Sequence, residues 1–156
     1  TLCDAWWRSK NTKWKKNDDI ILIENYNRLV DDWDNKYFKP EEIACKETGI
    51  VGYDPRFLDS ITQLRIKCNF PFTISSWYRH ETHSIEKNKK EPGVHTLGLA
   101  CDIAVDRERA YIVLKEAMAM GCFLGIGFQQ KGSGRFIHLD MASAEYGILR
   151  PTIWSY

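Results

Sequence analysis

The 156-residue chain has almost no excess of charge of either sign, and it has no long apolar run. It contains 22 Lys and Arg residues against 21 Asp and Glu residues, for a net charge of +1. This balance excludes attraction of the whole chain to nucleic acid or to an anionic membrane, so we expect no nucleic-acid partner. No uninterrupted apolar stretch approaches the roughly 20 residues that a membrane helix needs, so we also expect no membrane span.

The chain also lacks the paired cysteine spacing of common metal and redox sites. Its five Cys are at positions 3, 45, 68, 101 and 122, with no Cys-x-x-Cys pair, which argues against a zinc ribbon or a thioredoxin-type site. We expect free buried thiols, since Cys packs as a small apolar residue. Cys45 and Cys68 are the first pair to test for a disulfide.

No signal sequence, internal repeat or Gly/Ser linker is visible. The segment Thr1 to Trp7 has neither the basic flank nor the apolar stretch of a secretory signal, although a leader already removed would leave the same start. The length fits one domain of about 100 to 200 residues. We predict an N-terminal helical extension over residues 1–37 and one compact unit over residues 38–156.

Basic and aromatic residues alternate within the extension. Trp6, Trp7 and Trp14 are interleaved with lysines and one arginine between positions 8 and 16. They form either a patch that binds a polyanion or a cell-wall surface, or a solvated basic face with buried Trp, which is the commoner arrangement.

The first two predicted helices lie in the N-terminal third of the chain. After Asp18, apolar residues recur at the three- and four-residue intervals of an amphipathic helix: Leu22, Tyr26, Leu29, Val30 and Trp33. A short helix is predicted to start over Pro40 to Ile43 and to end at Gly49.

Two longer helices follow. Asp54 and Pro55 provide an N-cap and a proline at the first helical position, and the apolar spacing continues this helix to about Cys68. A further helix is predicted over residues 106–120, with Gly121 directly after its end.

Four segments rich in β-branched and aromatic residues predict strands, over residues 72–77, 99–105, 123–128 and 135–141. The last two flank a hairpin-like turn at Gln129 to Gly134. The polar segment Arg79 to Gly93 predicts an exposed loop. The fold class is therefore α+β, with helices packed on a small, mainly antiparallel sheet.

Histidines and acids lie close together in two short segments on or beside these predicted strands. His95 and Asp102 are seven residues apart, with mainly small residues between them. His138 and Asp140 are two residues apart on a predicted strand, so they share one face while Leu139 points the other way. Two imidazoles and a carboxylate, with a fourth position for water, are one form of catalytic zinc site. On spacing alone, hydrogen-bonded structural histidines are the commoner outcome, so both interpretations stay open.

Several motifs, in order along the chain, resemble one family. His95-x2-Gly98-x-Ala100-x-Asp102, followed by Phe136-Ile137-His138-Leu139-Asp140, resembles the M15 zinc peptidases, the group of D-Ala-D-Ala carboxypeptidases and peptidoglycan endopeptidases. The segment Ile74 to Arg79 is similar to the family's strand with a Ser-x-x-Arg type ending, and Arg150 to Trp154 resembles its closing Arg/Trp stretch. The similarity covers about Phe38 to Tyr156 and implies a fold shared with the Hedgehog signalling domain.

The resemblance implies a role for five of these residues. It implies that Zn²⁺ is held by His95, Asp102 and His138, and that Arg79 binds the substrate carbonyl or carboxylate and stabilises the oxyanion. His83 matches a further family position that would hydrogen-bond the substrate or the intermediate, and an exposed loop histidine is an equal alternative.

The general base of the family is not reproduced here. Many members have a Glu three residues before the last His ligand, where this chain has Arg135. Asp140 matches the branch with a His-x-Asp ending, where it would either take the proton from the zinc-bound water or orient a ligand. The loop before His95 also departs from the family, with Gly93 in place of a Ser, so the bond that is cleaved is left open.

The resemblance implies a zinc metallopeptidase that acts on D-amino-acid-containing stem peptides of peptidoglycan, as a carboxypeptidase or an endopeptidase. The small size and the lack of a visible signal favour a phage lysis enzyme or a virion-associated hydrolase, with phage structural proteins as further partners, over a bacterial enzyme whose leader was removed. It would reside in the phage particle or the host cytoplasm before lysis and act in the periplasm or cell wall. The alternative is a non-catalytic binding or structural module of the same fold, against which Arg79 argues because a structural role needs no oxyanion cation.

Overall fold

The computed structural model describes residues 16–24, 33–89 and 93–156. The Trp-rich, basic segment ending at Lys15 lies outside these residues. The helices within them are α1 (Pro40–Ile43), α2 (Pro55–Cys68) and α3 (Arg107–Met120). The strands are β1 (Ile21–Ile23), β2 (Val51–Tyr53), β3 (Thr73–Ser76), β4 (Ala100–Ala104), β5 (Gly125–Gln129), β6 (Phe136–Asp140) and β7 (Thr152–Ser155). A 3₁₀ helix, Val94–Leu97, precedes β4.

Five strands form the main sheet, in the order β3-β4-β6-β5-β7. Neighbouring strands are antiparallel except for β5 and β7, which are parallel. The predicted α+β class and the mainly antiparallel sheet are thereby confirmed. β1 and β2 form a separate antiparallel pair.

The main sheet has an apolar face and a polar face. Ile103 of β4 pairs with Ile137 of β6, and both belong to one core with residues of α2 and α3 such as Val113. Because side chains alternate along a strand, the neighbouring pair of Asp102 and His138 lies on the opposite face. The fold thus sets these two polar side chains next to each other, away from the helices.

Both long helices begin and end close to where the sequence predicts. Asp54 caps α2 by accepting a hydrogen bond from the backbone N–H of Arg56 at 2.8 Å. Asn69 follows α2 and Gly121 follows α3, and both have the left-handed conformation that ends a helix. Among the described residues, no helix has the length and apolar character needed to cross a membrane.

The helix predicted from Asp18 onward is wrong over Ile21–Ile23. These residues form β1, in which Ile21 pairs with Tyr53 of β2. β-Branched side chains favour extended backbone, and pairing with β2 stabilises the strand over the helix that the apolar spacing predicts. The remainder of that predicted helix, residues 25–32, lies outside the described residues, and the domain boundary after residue 37 stays a prediction.

Two other local predictions need correction. Gly49 does not end α1, which stops at Ile43; a turn follows, in which the backbone N–H of Gly49 donates to the carbonyl oxygen of Cys45 at 2.8 Å. The described part of the predicted loop, residues 79–89, is irregular, but it is not wholly exposed, because Glu86 is only 2% exposed.

The cysteines that the structure describes are free thiols. Cys45 and Cys68, the first pair to test for a disulfide, are both buried and unlinked. Cys101 is also buried and Cys122 is half-buried. The prediction of free, mostly buried thiols is confirmed for these four residues.

Candidate metal centre

Two neighbouring strands and a turn bring three predicted ligands together. Asp102 and His138 are direct partners in the β4–β6 ladder. His95 comes from the 3₁₀ helix before β4, and Gly98 joins the two with a φ of +70°, which favours glycine. This turn places Nε2 of His95 3.6 Å from Oδ1 of Asp102.

One possible ligand atom from each residue lies close to those of the other two. Donor atoms of His95, Asp102 and His138 all lie within 4.8 Å of one another. All three side chains are buried. The three residues that the sequence singled out as metal ligands are therefore assembled into one cluster.

Each imidazole is held in place through its other ring nitrogen. Nδ1 of His95 donates to the carbonyl oxygen of Trp77 at 2.7 Å, and Nε2 of His138 donates to the carboxylate of Asp140 at 2.7 Å. Nε2 of His95 and Nδ1 of His138 are thereby left facing Asp102, with Nδ1 of His138 2.9 Å from Oδ1. Hydrogen bonds of this kind fix the tautomer and the orientation of metal-binding histidines.

The members of the cluster shift one another's pKa. Burial by itself would raise the pKa of Asp102, but the hydrogen bond from His138 and the nearby ring of His95 outweigh it and hold the pKa of this carboxyl well below its usual range. Burial lowers the pKa of His95. Burial acts in the same direction on His138, but its pKa is raised because Asp102 and Asp140 accept hydrogen bonds from its ring. An ionised carboxylate beside a neutral His95 suits a cation.

The donor set fits zinc. Two imidazole nitrogens and one carboxylate oxygen match the three protein ligands of catalytic zinc sites, which keep a further position open for water or substrate. The outer hydrogen bonds to Trp77 and Asp140 supply the support that such ligands require. The cluster can therefore hold a divalent metal ion through His95, Asp102 and His138.

Arg79 borders the cluster. Its Nη2 lies 3.9 Å from Oδ2 of Asp102, and its backbone N–H donates to the carbonyl oxygen of His95 at 3.2 Å. Its Nη1 lies 3.5 Å from Oε1 of Glu86. The side chain is 19% exposed, so a cation beside the cluster is still reachable from solvent.

Asp140 lies behind His138, and both of its oxygens are occupied. Oδ2 accepts from Nε2 of His138 and, at 2.8 Å, from Nη2 of Arg150. Oδ1 accepts from Nε of Arg150 at 2.9 Å and from the backbone N–H of Ala142 at 3.2 Å. Gly125 of β5 lies so close that a Cβ there would overlap the carboxylate. Of the two roles open to Asp140, orientation of a ligand is favoured over proton transfer.

His83 has its partners outside the cluster. Its Nε2 lies 2.9 Å from the carboxylate of Glu47, and its Nδ1 accepts from the backbone N–H of Ile85 at 3.1 Å. The side chain is buried, so the alternative of an exposed loop histidine is wrong. A contact between His83 and substrate gains no support from these bonds and stays a prediction.

Three residues around the cluster, Arg150, Glu86 and Trp154, had no role assigned from the sequence. The ring of Trp154 lies 5.2 Å from that of His138, in space that Gly127 leaves free by lacking a Cβ. Arg150 and Trp154 belong to the terminal stretch that resembles the M15 peptidases, a signal that could have identified them. Glu86 is one acid in a polar loop, and no pattern distinguishes it.

A comparison with protein families agrees with this geometry. The Peptidase M15 family model matches residues 36–140 of the 156, a range that includes Arg79, the three clustered residues and Asp140. No curated protein and no solved structure matches the chain. The chain belongs to the Peptidase M15 family and is a peptidase.

Proposed function

We propose that this protein is a zinc-dependent peptidase that hydrolyses peptide bonds containing D-amino acids in bacterial peptidoglycan. The observation that carries the proposal is the buried convergence of His95, Asp102 and His138 with a cation, Arg79, at its edge. A purely structural metal site has its ligand positions filled by protein. Three protein donors beside a partly exposed guanidinium are the arrangement that hydrolysis needs.

The ligands and the arginine have distinct tasks in this mechanism. When bound, zinc polarises the scissile carbonyl and activates a water molecule. His95, Asp102 and His138 hold the ion, and Trp77 fixes the ring of His95 through the hydrogen bond to its carbonyl oxygen. The guanidinium of Arg79 stabilises the negative charge that develops on the carbonyl oxygen, an effect worth roughly 3 kcal/mol for a well-placed donor.

Asp140 acts in this mechanism through His138. Its two oxygens already accept hydrogen bonds from His138, Arg150 and the backbone N–H of Ala142. Burial by itself would raise the pKa of Asp140, but the hydrogen bonds from His138 and Arg150 lower it. A carboxylate in this state is a poor proton acceptor, so we assign Asp140 the orientation of His138.

Digestion of purified peptidoglycan tests the proposal. The zinc-loaded protein should release fragments with new amino and carboxyl ends, which mass spectrometry detects, and a chelator should stop the release. His95→Ala should reduce it at least about 100-fold, because a ligand is lost. His80→Ala is the matched control, since His80 bonds Thr82 outside the cluster, and it should keep activity within about twofold.

The fragments also decide the type of peptidase. Release of single terminal D-alanine residues would indicate a carboxypeptidase, and separation of cross-linked stem peptides would indicate an endopeptidase. If the zinc-loaded protein generates no new peptide ends, the peptidoglycan peptidase proposal is wrong. The alternative, a non-catalytic module of the same fold, is then favoured.

We also propose a phage setting, as a lysis enzyme or a virion-associated hydrolase that acts on the cell wall. The support is the proposed peptidoglycan substrate, because a phage has to degrade the cell wall of its host. An antibody against the protein should detect it in purified virions if it is carried on the particle, and only in the infected host before lysis if it is a free lysis enzyme. Its presence in uninfected cells would contradict the phage setting.

A further inference from the structure

Glu86 is a buried carboxylate that the mechanism above does not use. Its side chain has no exposed surface. It accepts hydrogen bonds from the backbone N–H of Gly93 at 2.8 Å, from Nζ of Lys89 at 3.2 Å and from Nη1 of Arg79 at 3.5 Å. A buried carboxylate is costly unless it is paired, so these contacts explain why Glu86 can stay ionised.

Two of the three contacts lead directly to the metal centre. Arg79 is the cation beside Asp102. Gly93 directly precedes the 3₁₀ helix Val94–Leu97, which carries His95. Glu86 therefore connects the guanidinium with the backbone that leads into the first ligand.

The contacts of Lys89 and of a second acid, Glu47, show that holding the loop and contacting Arg79 are separate tasks. Lys89 is 42% exposed and does not border the cluster. Glu47 anchors the same loop elsewhere, by accepting from the backbone N–H and the hydroxyl of Ser84 and by pairing with His83. The loop thus has an anchor that does not touch Arg79, and Glu86 is the acid that does.

We propose that Glu86 is a positioning residue that holds the guanidinium of Arg79 against the edge of the metal centre. The proposal rests on the proposed peptidase function. An arginine side chain has many rotamers, and a fixed partner on Nη1 restricts them while Nη2 stays on the side of Asp102. Preorganised donors stabilise a transition state better than mobile ones.

Glu86→Gln tests the proposal, because it keeps the size of the side chain and an acceptor for Gly93 but removes the charge that holds Arg79. We expect kcat on peptidoglycan to fall about tenfold, with KM and zinc affinity close to those of the parent protein. Glu86→Ala should lower kcat further. Glu47→Gln is the matched control and should change kcat less than about twofold. Lys89→Met should also stay close to the parent, because Arg79 keeps its partner.

A chemical probe measures how accessible the guanidinium of Arg79 is, and this measurement does not depend on catalysis. Phenylglyoxal modifies guanidinium groups, and peptide mass spectrometry gives the rate for each arginine. The rate at Arg79 should rise several-fold in Glu86→Gln and stay unchanged in Glu47→Gln, with equal melting temperatures showing that all variants are folded.

The outcomes are distinct. If the parent is active and folded Glu86→Gln keeps both its kcat and its phenylglyoxal rate, or if Glu47→Gln loses as much activity as Glu86→Gln, Glu86 is only a loop anchor. If the zinc-loaded parent is itself inactive, the peptidase proposal fails, and the assignment of Glu86 fails with it.

Discussion

Asp140 and Arg150 form a buried ion pair directly behind a metal ligand. The carboxylate of Asp140 is fully buried, and the side chain of Arg150 is 10% exposed. Their two hydrogen bonds, with Nε and Nη2 as donors, are a bidentate pair. Removal of one member of such a pair leaves the other charge buried without compensation.

Arg150→Met should therefore destabilise the fold. We expect the free energy of unfolding to fall by about 3 kcal/mol, because Asp140 would keep only His138 and a backbone N–H as donors. Urea denaturation followed by circular dichroism measures the change.

Lys115→Met is the control for this prediction. Nζ of Lys115 lies 3.9 Å from Glu116, and its side chain is 62% exposed. An exposed pair contributes little, so the change should stay below about 0.5 kcal/mol. Equal small losses in the two variants would show that the Asp140–Arg150 pair is not important for stability.

At the scale of elements, the start of α2 is tied to the N-terminal segment. Asp54 is fully buried and caps α2. It accepts hydrogen bonds from the side chain of Arg56 at 2.7 Å and from Nδ2 of Asn17 at 3.0 Å, and Asn17 also donates to the carbonyl oxygen of Leu97 at 2.9 Å. The side chains of Asp54 and Asn17 thus join the segment before β1, the helix and the turn that carries His95.

This arrangement predicts a pH-dependent contribution to stability. Burial by itself would raise the pKa of Asp54, but the hydrogen bonds from Arg56 and Asn17 lower it. A lowered pKa in the folded state stabilises the protein above the unfolded pKa of about 3.9. That contribution is lost as the pH falls through the folded pKa.

Asp54→Asn should reduce the free energy of unfolding by about 2 kcal/mol at pH 7. The difference from the parent protein should begin to shrink below about pH 4, where the carboxyl of the unfolded parent takes up a proton, and should shrink further as the pH falls through the lower folded pKa. Urea denaturation at pH 7 and at pH 3.5 measures both values. Asp59→Asn, an exposed change on the same helix, is the control and should change the free energy of unfolding by less than about 0.5 kcal/mol at pH 7. A difference for Asp54→Asn that stays constant with pH would contradict the role of its charge.

At the scale of the whole molecule, the metal centre depends on three separate parts of the chain. His95 comes from the 3₁₀ helix, Asp102 from β4 and His138 from β6. The donor atoms meet only when the sheet is formed, so an ion that binds the folded state will stabilise it by mass action.

Zinc should therefore raise the melting temperature, and a chelator should lower it. At a free zinc concentration of about 100 times Kd, the added stability should be about 2.7 kcal/mol. Differential scanning fluorimetry of the metal-free and zinc-loaded protein measures the shift. His95→Ala should abolish it and His80→Ala should preserve it; identical melting curves for the parent with and without zinc would argue against the site.

Much of the fold was predictable because its signals are local. The cap at Asp54, the left-handed glycine after α3 and the alternating pattern around His138 each act over a few residues, and the structure agrees with them. β1 was mistaken for a helix because its conformation depends on pairing with β2, about thirty residues away. Local spacing does not carry that information.

The sequence by itself determined the residue types and order of the metal centre, and the motifs around His95, Asp102 and His138 carried the resemblance to the family. Tertiary structure alone decided which ring nitrogen of each histidine faces Asp102, because the partners Trp77 and Asp140 occupy the other nitrogens. It also decided that Glu86 is buried against Arg79. The physical reason is that burial and hydrogen-bond partners depend on groups brought together by the fold.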